Sequence, residues 1–256
     1  AVGLYVRFKL DETPVFVRAI SRGEKLKTPL SAALKHHFRE LVQGALIMLA
    51  TYGLFYLMTT WVLSYAIGSI ELGFLGIGYR GFLVLQLISV LLFAAMIPVA
   101  GLLADTYGRR SFLLLITAAI ILFGLSFRFF LDPAIMGTGD EANMGLMLFF
   151  LSIGMALMGL TFGPMSAVLP ELFPTNVRYT GSGISYNISS ILGAALTPFA
   201  AVWLARHHGV GSVGLYLSAL GVLTFIALWF SKETKHTDLD MVEERKAQVG
   251  IEITSP

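Results

Sequence analysis

The sequence predicts an all-α membrane protein with six transmembrane helices, and three observations carry that expectation. First, hydrophobic residues make up 56% of the 256 and charged residues only 13%, with a mean hydropathy of +0.76. No soluble core of this size requires so apolar a chain. Second, the charges are segregated: residues 41–70, 81–104, 111–127, 142–170, 179–205 and 209–231 carry no Asp, Glu, Lys or Arg. A hydrocarbon core about 30 Å thick takes roughly 20 helical residues, so each run can cross it, the third only if it extends past Arg128 to Leu131. Third, Lys and Arg sort between alternate connections, 15 on one side against Arg80, Arg128 and Arg206 on the other. Positive charge marks the cytoplasmic face, so both ends and the turn at Asp105 are expected inside.

Residues 1–40 are expected to be the end of a preceding helix plus a cytoplasmic loop. The opening Ala-Val-Gly-Leu-Tyr-Val turns basic at Arg7 and Lys9, as a membrane helix does on leaving the bilayer, and not in the order of a signal peptide. The chain therefore reads as a piece of a longer protein. Val15, Phe16, Ala19 and Ile20 follow Pro14, and Leu30, Ala33, Leu34 and Phe38 follow Pro29. Both sets have helical spacing with proline near the first turn, predicting two amphipathic helices on the membrane surface.

The six-helix domain follows over residues 41–231. Small residues crowd its later helices: Gly154, Gly159, Gly181, Gly183 and Gly193, with Gly163-Pro164 and Pro198 as expected kinks. Close packing in lipid depends on such residues; a flexing point at Gly163-Pro164 is the other reading. Arg128 lies about 26 Å from the inner end of its helix at 1.5 Å per residue, where it can snorkel to the outer interface. The connection from Asp132 to Asn143 has no Lys or Arg and suits the outer side. Residues 232–256 read as a charged cytoplasmic tail.

The chemistry-bearing groups are few. Cysteine is absent, which excludes disulfides, thiolate metal sites and cysteine nucleophiles. The runs hold no buried carboxylate pair and no helical His-Glu-x-x-His, so no membrane protease is expected. His36-His37 and His207-His208 sit at helix ends, where interfacial decoration is the simpler account. Uncharged polar and aromatic groups lie deeper. Tyr52 is about 16 Å above the inner end of its helix, and Tyr56 and Thr59 share its face at i+4 and i+7. A polar stripe at this depth costs free energy unless it faces protein or a water-filled cavity. Gln86, Tyr186 and Asn187 are further candidates for that cavity, with interhelical hydrogen bonding as the alternative. Trp61 and Tyr65 lie higher, where an interfacial belt is expected.

Two inner turns carry charge: Asp105, Arg109 and Arg110 in one, Glu171 and Arg178 in the other. An acid in one turn paired with an arginine in the next would latch helix ends together. Solvated interfacial charge is the plainer alternative.

Gly101-Leu-Leu-Ala-Asp105-Thr-Tyr-Gly108-Arg109-Arg110 resembles the signature that the major facilitator superfamily places between its second and third helices and again between its eighth and ninth. Thr106 stands where the family usually has a basic residue. Pro170-Glu171-Leu-Phe-Pro174-Thr-Asn-Val-Arg178-Tyr-Thr-Gly181 is similar to the turn after the tenth helix in the metabolite:proton symporter branch, a motif partly shared with sugar porters. Glu12-Thr-Pro14 and Lys232-Glu-Thr-Lys235 resemble the ends of the sixth and twelfth helices.

The resemblance implies the carboxy-terminal half of a twelve-helix transporter, built as two inverted three-helix repeats and working by alternating access. It implies proton-coupled symport of a small organic acid or zwitterionic metabolite, with Tyr52, Tyr56, Thr59, Gln86, Tyr186 and Asn187 on the substrate pathway. Gly101, Asp105, Gly108, Arg109, Arg110, Glu171 and Arg178 would form the inner gate. The implied partners are a small-molecule substrate, protons, the lipid bilayer and an amino-terminal half. No catalytic residue, metal, cofactor or nucleic acid is called for, and a bacterial inner membrane is the implied location. A sugar-porter-like facilitator and a self-assembling six-helix channel or scaffold are the rival readings.

Overall fold

The computed structural model describes residues 29–174 and 176–231. The expected amphipathic helix after Pro14, the Glu12-Thr-Pro14 and Lys232–Lys235 motifs and the tail lie outside the described residues. Among these residues the chain is helical, with no strand. Helix α1 is Pro29–His36, so a helix forms after Pro29 as expected, while Phe38 begins the next helix. Leu30 and Leu34 of α1 are exposed and Ala33 is buried.

Among the described residues, five helices are long and apolar enough to cross a membrane: α2 (Phe38–Ile67), α3 (Tyr79–Tyr107), α7 (Met144–Glu171), α8 (Arg178–His208) and α9 (Val210–Trp229). The remaining expected span is broken. Helix α4 (Arg109–Leu125) stops at Ser126, whose hydroxyl donates to the Phe123 carbonyl at 2.7 Å. Helix α5 (Phe127–Leu131) continues it, then a short α6 (Pro133–Met136) starts with Asp132 capping the Ala134 amide at 3.0 Å. The extension past Arg128 to Leu131 thus exists, with one turn interrupting it. Arg128 is 76% exposed and 3.9 Å from Asp132, as a snorkelling side chain should be.

The helices form two triplets, α2–α3–α4/α5 and α7–α8–α9. Three spans are an odd number, so the second triplet enters the membrane from the opposite side and is inverted. Packing between them is reciprocal. The second helix of each triplet lies on the first helix of the other, α3 on α7 and α8 on α2, and the third helices, α4 and α9, lie on each other. We call the side bearing the 105–110 and 172–177 turns the basic side.

Glycine sets the crossings. A Cβ on Gly159 would lie 2.5 Å from the Phe93 carbonyl oxygen, and one on Gly163 would lie 2.6 Å from that of Ile97. These two glycines, four apart, form the strip of α7 on which α3 rests. Helix α7 runs unbroken through Pro164. Gly124 and Gly214 do the same where α4 meets α9, and there Ser218 donates to the Ile121 carbonyl at 2.8 Å. Thr224 ties α9 to α2, accepting from the Ala50 amide at 3.0 Å and donating to the Leu46 carbonyl at 2.7 Å. Such side-chain bonds matter in lipid, where apolar contact alone does little to distinguish a neighbouring helix from acyl chains.

The far half of the bundle is an aromatic core. Trp61 stacks on Tyr65 at 5.1 Å and on Phe127 at 6.3 Å, and Phe123 and Phe127 contact Phe150. Trp61 and Tyr65 are therefore core residues, 1% and 2% exposed, and not the interfacial belt expected from their height. Their face of α2 turns inward, and the Tyr65 hydroxyl donates to the Leu131 carbonyl that α5 leaves open.

Gly163→Leu should force α3 away from α7 and cost about 1–3 kcal/mol, as overpacking does. In detergent the melting temperature of that variant should fall clearly, whereas Gly183→Ala, with nothing within 4 Å of the added Cβ, should leave it unchanged or slightly raised. Equal melting of the two variants would mean that this crossing does not limit the fold.

Candidate functional site

The charged turn between α3 and α4 is a tight reversal at Gly108, whose φ of 96° favours glycine. Gly108 closes α3 and opens α4 at once, which brings Asp105, in the last turn of α3, beside Arg109, the first residue of α4. Arg109 donates from Nε and Nη2 to Asp105 Oδ1, both at 3.3 Å. Its Nη1 reaches across to Glu171 Oε1 at the end of α7. An arginine is always charged, so one guanidinium bridges the two turns through two carboxylates. Asp105 is 67% exposed and Glu171 only 18%. The second Glu171 oxygen is buried without a hydrogen-bond partner. The inner pair therefore outweighs the outer one, since water screens an exposed pair strongly.

Arg110 points to the last helix, donating to the Leu228 carbonyl at 3.1 Å and the Trp229 carbonyl at 2.7 Å while lying 5.9 Å from the Trp229 ring centroid. A cation on the open carbonyls of a helix C-terminus is favourable. Arg178 does not join Glu171; its Nε donates to the Phe173 carbonyl at 3.2 Å and holds the 172–177 turn. Thr106 donates to the Leu102 carbonyl of its own helix at 2.8 Å. Gly101 faces open space itself, but its amide nitrogen would lie 3.3 Å from a Cβ on Gly163. Charge at the turn thus sits directly below the glycine crossing of α3 and α7.

Beside Glu171 lies a cavity of about 800 Å³ between α7 and α8, with Met48 of α2 also lining it. Pro170, Phe162, Tyr179, Tyr186 and Asn187 contribute to its wall, and among the described residues no charged one does. Tyr186 and Asn187 thus reach a shared space. Asn187 donates to the Gly183 carbonyl of its own helix at 2.7 Å. Tyr52 is buried and meets Tyr186 edge-to-face, with centroids 5.3 Å apart at 80°. Gly193 makes room for it, since a Cβ there would lie 2.6 Å from Tyr52 Cβ. Tyr56 is half-buried against Phe55, centroids 5.3 Å apart.

Thr59 and Gln86 come together elsewhere, at a π-helical turn over Leu57–Trp61 of α2. Gln86 Nε2 donates to the carbonyls of Met58 at 3.3 Å and Thr59 at 3.4 Å, and the Thr59 hydroxyl donates to Phe55 at 2.7 Å. A π-turn displaces carbonyls from their usual partners, and π-turns cluster at functional sites. A second π-turn, Ser190–Ala195, interrupts α8 just before Pro198. Proline cannot donate to the carbonyl four residues earlier, so the helix widens there. Sequence reasoning placed a kink at Pro198 but missed the first π-turn, which has no proline to signal it.

Gln86→Leu should leave the Met58 and Thr59 carbonyls without their amide donor at a cost of about 1 kcal/mol. Hydrogen exchange in residues 57–63 should quicken about fivefold, with residues 45–52 unaffected; uniform protection in the variant would show that Gln86 does not brace the turn.

The family description "Sugar (and other) transporter" matches residues 18–245. The inner membrane metabolite transport protein YhjE of Escherichia coli is 48% identical over 238 residues, covering 93% of this chain and 52% of that protein. The glycine betaine/proline/ectoine/pipecolic acid transporter OusA of Dickeya dadantii is 29% identical over 249 residues, covering 93% of this chain and 47% of its own length. A proline/betaine transporter of Salmonella typhimurium is likewise 29% identical, with the same coverage. The chain spans about half the length of these curated relatives. No solved structure matches it significantly. The family and these relatives are transporters, not enzymes. With its inverted triplets, its ion-paired Gly101–Arg110 turn and this match, the chain is an integral membrane protein of the sugar (and other) transporter family, within the major facilitator superfamily.

Proposed function

We propose that this chain forms the carboxy-terminal half of a secondary transporter that carries a small zwitterionic or organic-acid metabolite together with a proton. The observation that carries this reading is the placement of the Arg109–Glu171 pair next to an uncharged cavity: Pro170 lines the cavity and Glu171 closes the turn. A cross-turn pair of this kind holds one arrangement of the helix ends and releases when the bundle moves. The paired state is one end of an alternating-access cycle, and the gate comprises Gly101, Asp105, Gly108, Arg109, Arg110 and Glu171, with Arg178 shaping the neighbouring turn.

The substrate class rests on the relatives whose names specify betaine and proline, both zwitterions. Proton coupling rests on the symporter-like motif after Pro170. The charge-free runs hold no carboxylate to carry the proton, so the proton path would use the rest of the transporter or water and substrate. Both ends of the chain lie in the cytoplasm by the distribution of Lys and Arg, residues 1–40 and 232–256 flank the membrane domain there, and the membrane is a bacterial inner membrane. Hydroxyl and amide groups in the cavity wall, among them Thr180, Ser182 and Asn187, favour a second reading, a facilitator of a hydroxylated substrate.

In proteoliposomes holding the full-length protein, collapsing the proton gradient should abolish substrate accumulation; uptake indifferent to the gradient would select the facilitator. Glu171→Gln should slow turnover about tenfold, equivalent to ~1.4 kcal/mol on the barrier, with substrate affinity little changed. Asp105→Asn should act in the same direction but less, because Asp105 is exposed. Lost binding with normal turnover would show that the turn is not a gate.

A further inference from the structure

Among the described residues the wall of the cavity between α7 and α8 includes neither Asp nor Glu, and the neighbouring Glu171 is already paired with Arg109. A positively charged group entering it finds aromatic rings instead: Phe162 from α7, and Tyr179 and Tyr186 from α8. The three differ in setting. Tyr179, in the first turn of α8, is 94% exposed, where water weakens any contact between a cation and a ring. Phe162 is engaged edge-to-face with Phe93, centroids 6.1 Å apart.

Tyr186 lies about 12 Å along α8 from Arg178 at 1.5 Å per residue, inside the span, and is 46% exposed. Its ring is held by the buried Tyr52 at 5.3 Å and 80°, and Tyr52 is itself seated where Gly193 allows α2 and α8 to touch. Tyr186 is therefore a ring held edge-to-face by a buried partner yet half-exposed, in a wall that carries no carboxylate among the described residues.

We propose that the exposed ring of Tyr186, held by Tyr52, receives the ammonium group of the substrate and so selects a zwitterion over a simple carboxylate. This rests on the zwitterion reading above. A ring quadrupole attracts an ammonium within about 6 Å of its centroid, and rings are the usual receptors for quaternary nitrogen. Such a site accepts secondary and quaternary amines alike, because it asks for positive charge and shape and not for N–H donors. Tyr52 acts as a positioning residue.

Two probes separate charge from shape. Glycine betaine and 3,3-dimethylbutanoate share a carboxylate and a trimethyl head, but only the first carries positive charge. In the full-length protein in nanodiscs, the wild type should bind glycine betaine more tightly than its carbon analogue. Tyr186→Leu should reduce that preference about tenfold, and Tyr186→Phe should retain it. Fluorinated phenylalanines at position 186 keep the ring's shape while weakening its negative face, and the preference should fall stepwise with each fluorine. An undiminished preference in Tyr186→Leu, or a flat response to fluorination, overturns the assignment of Tyr186 alone. A wild type that binds neither probe overturns the zwitterion reading and the assignment with it.

Discussion

Close backbone approach at glycine is the constraint on which this structure depends. In a bilayer, apolar side chains are as well solvated by lipid as by protein, so association must come from dispersion at short range and from hydrogen bonds. Gly159 and Gly163 bring α7 onto α3, Gly124 and Gly214 bring α4 onto α9, and Gly193 brings α8 onto α2. These are three of the contacts that join the inverted triplets. Each would be opened by a side chain, because the nearest atoms are mostly backbone carbonyls or the roots of side chains and cannot swing away.

Bringing backbones together also fixes where polar groups can go. Thr224, Ser185 and Ser218 reach carbonyls on neighbouring helices, and Gln86 reaches the π-turn of α2. An unsatisfied carbonyl in hydrocarbon costs several kcal/mol, so an irregular turn survives only where protein satisfies it. The π-turn at Leu57–Trp61 and its amide brace form one unit, between the aromatic core of the far half and the Tyr52–Tyr186 pair below. The α3/α7 crossing similarly carries the charged turn. Helix α3 ends at Tyr107 and α7 at Glu171, so the packing that joins these helices delivers Arg109 to Glu171, 62 residues away.

The rest of the surface is apolar and thinly covered. Leu87, Leu91 and Leu102 of α3 and Phe199 of α8 are more than two-thirds exposed. These are the second helices of their triplets. Exposed leucine and phenylalanine are the side chains that lipid solvates well.

Much of the fold was legible in the sequence, because hydrocarbon imposes a rule that acts on composition alone. A run with no charge and enough length must be a helix, and charge must collect at its ends; the six runs follow from that, while the helix after Pro29 was read from its spacing and the interruption at Ser126 was not foreseen. Motifs within a few residues were legible too, since Asp105 and Arg109 are only four residues apart across one turn. Partners far along the chain were not. Arg109 was placed in the gate, but its bond to Glu171, the diversion of Arg178 to Phe173, and Gln86 on a π-turn depend on how helices rotate against one another. Trp61 and Tyr65 show the same limit: their height in the membrane could be counted from the sequence, but whether they face lipid or core could not. Sequence by itself determined which segments cross the bilayer and where charge lies, because solvation acts on each segment separately. Only tertiary structure decided which faces meet, because glycine contacts and hydrogen bonds between distant segments set the rotation of every helix at once.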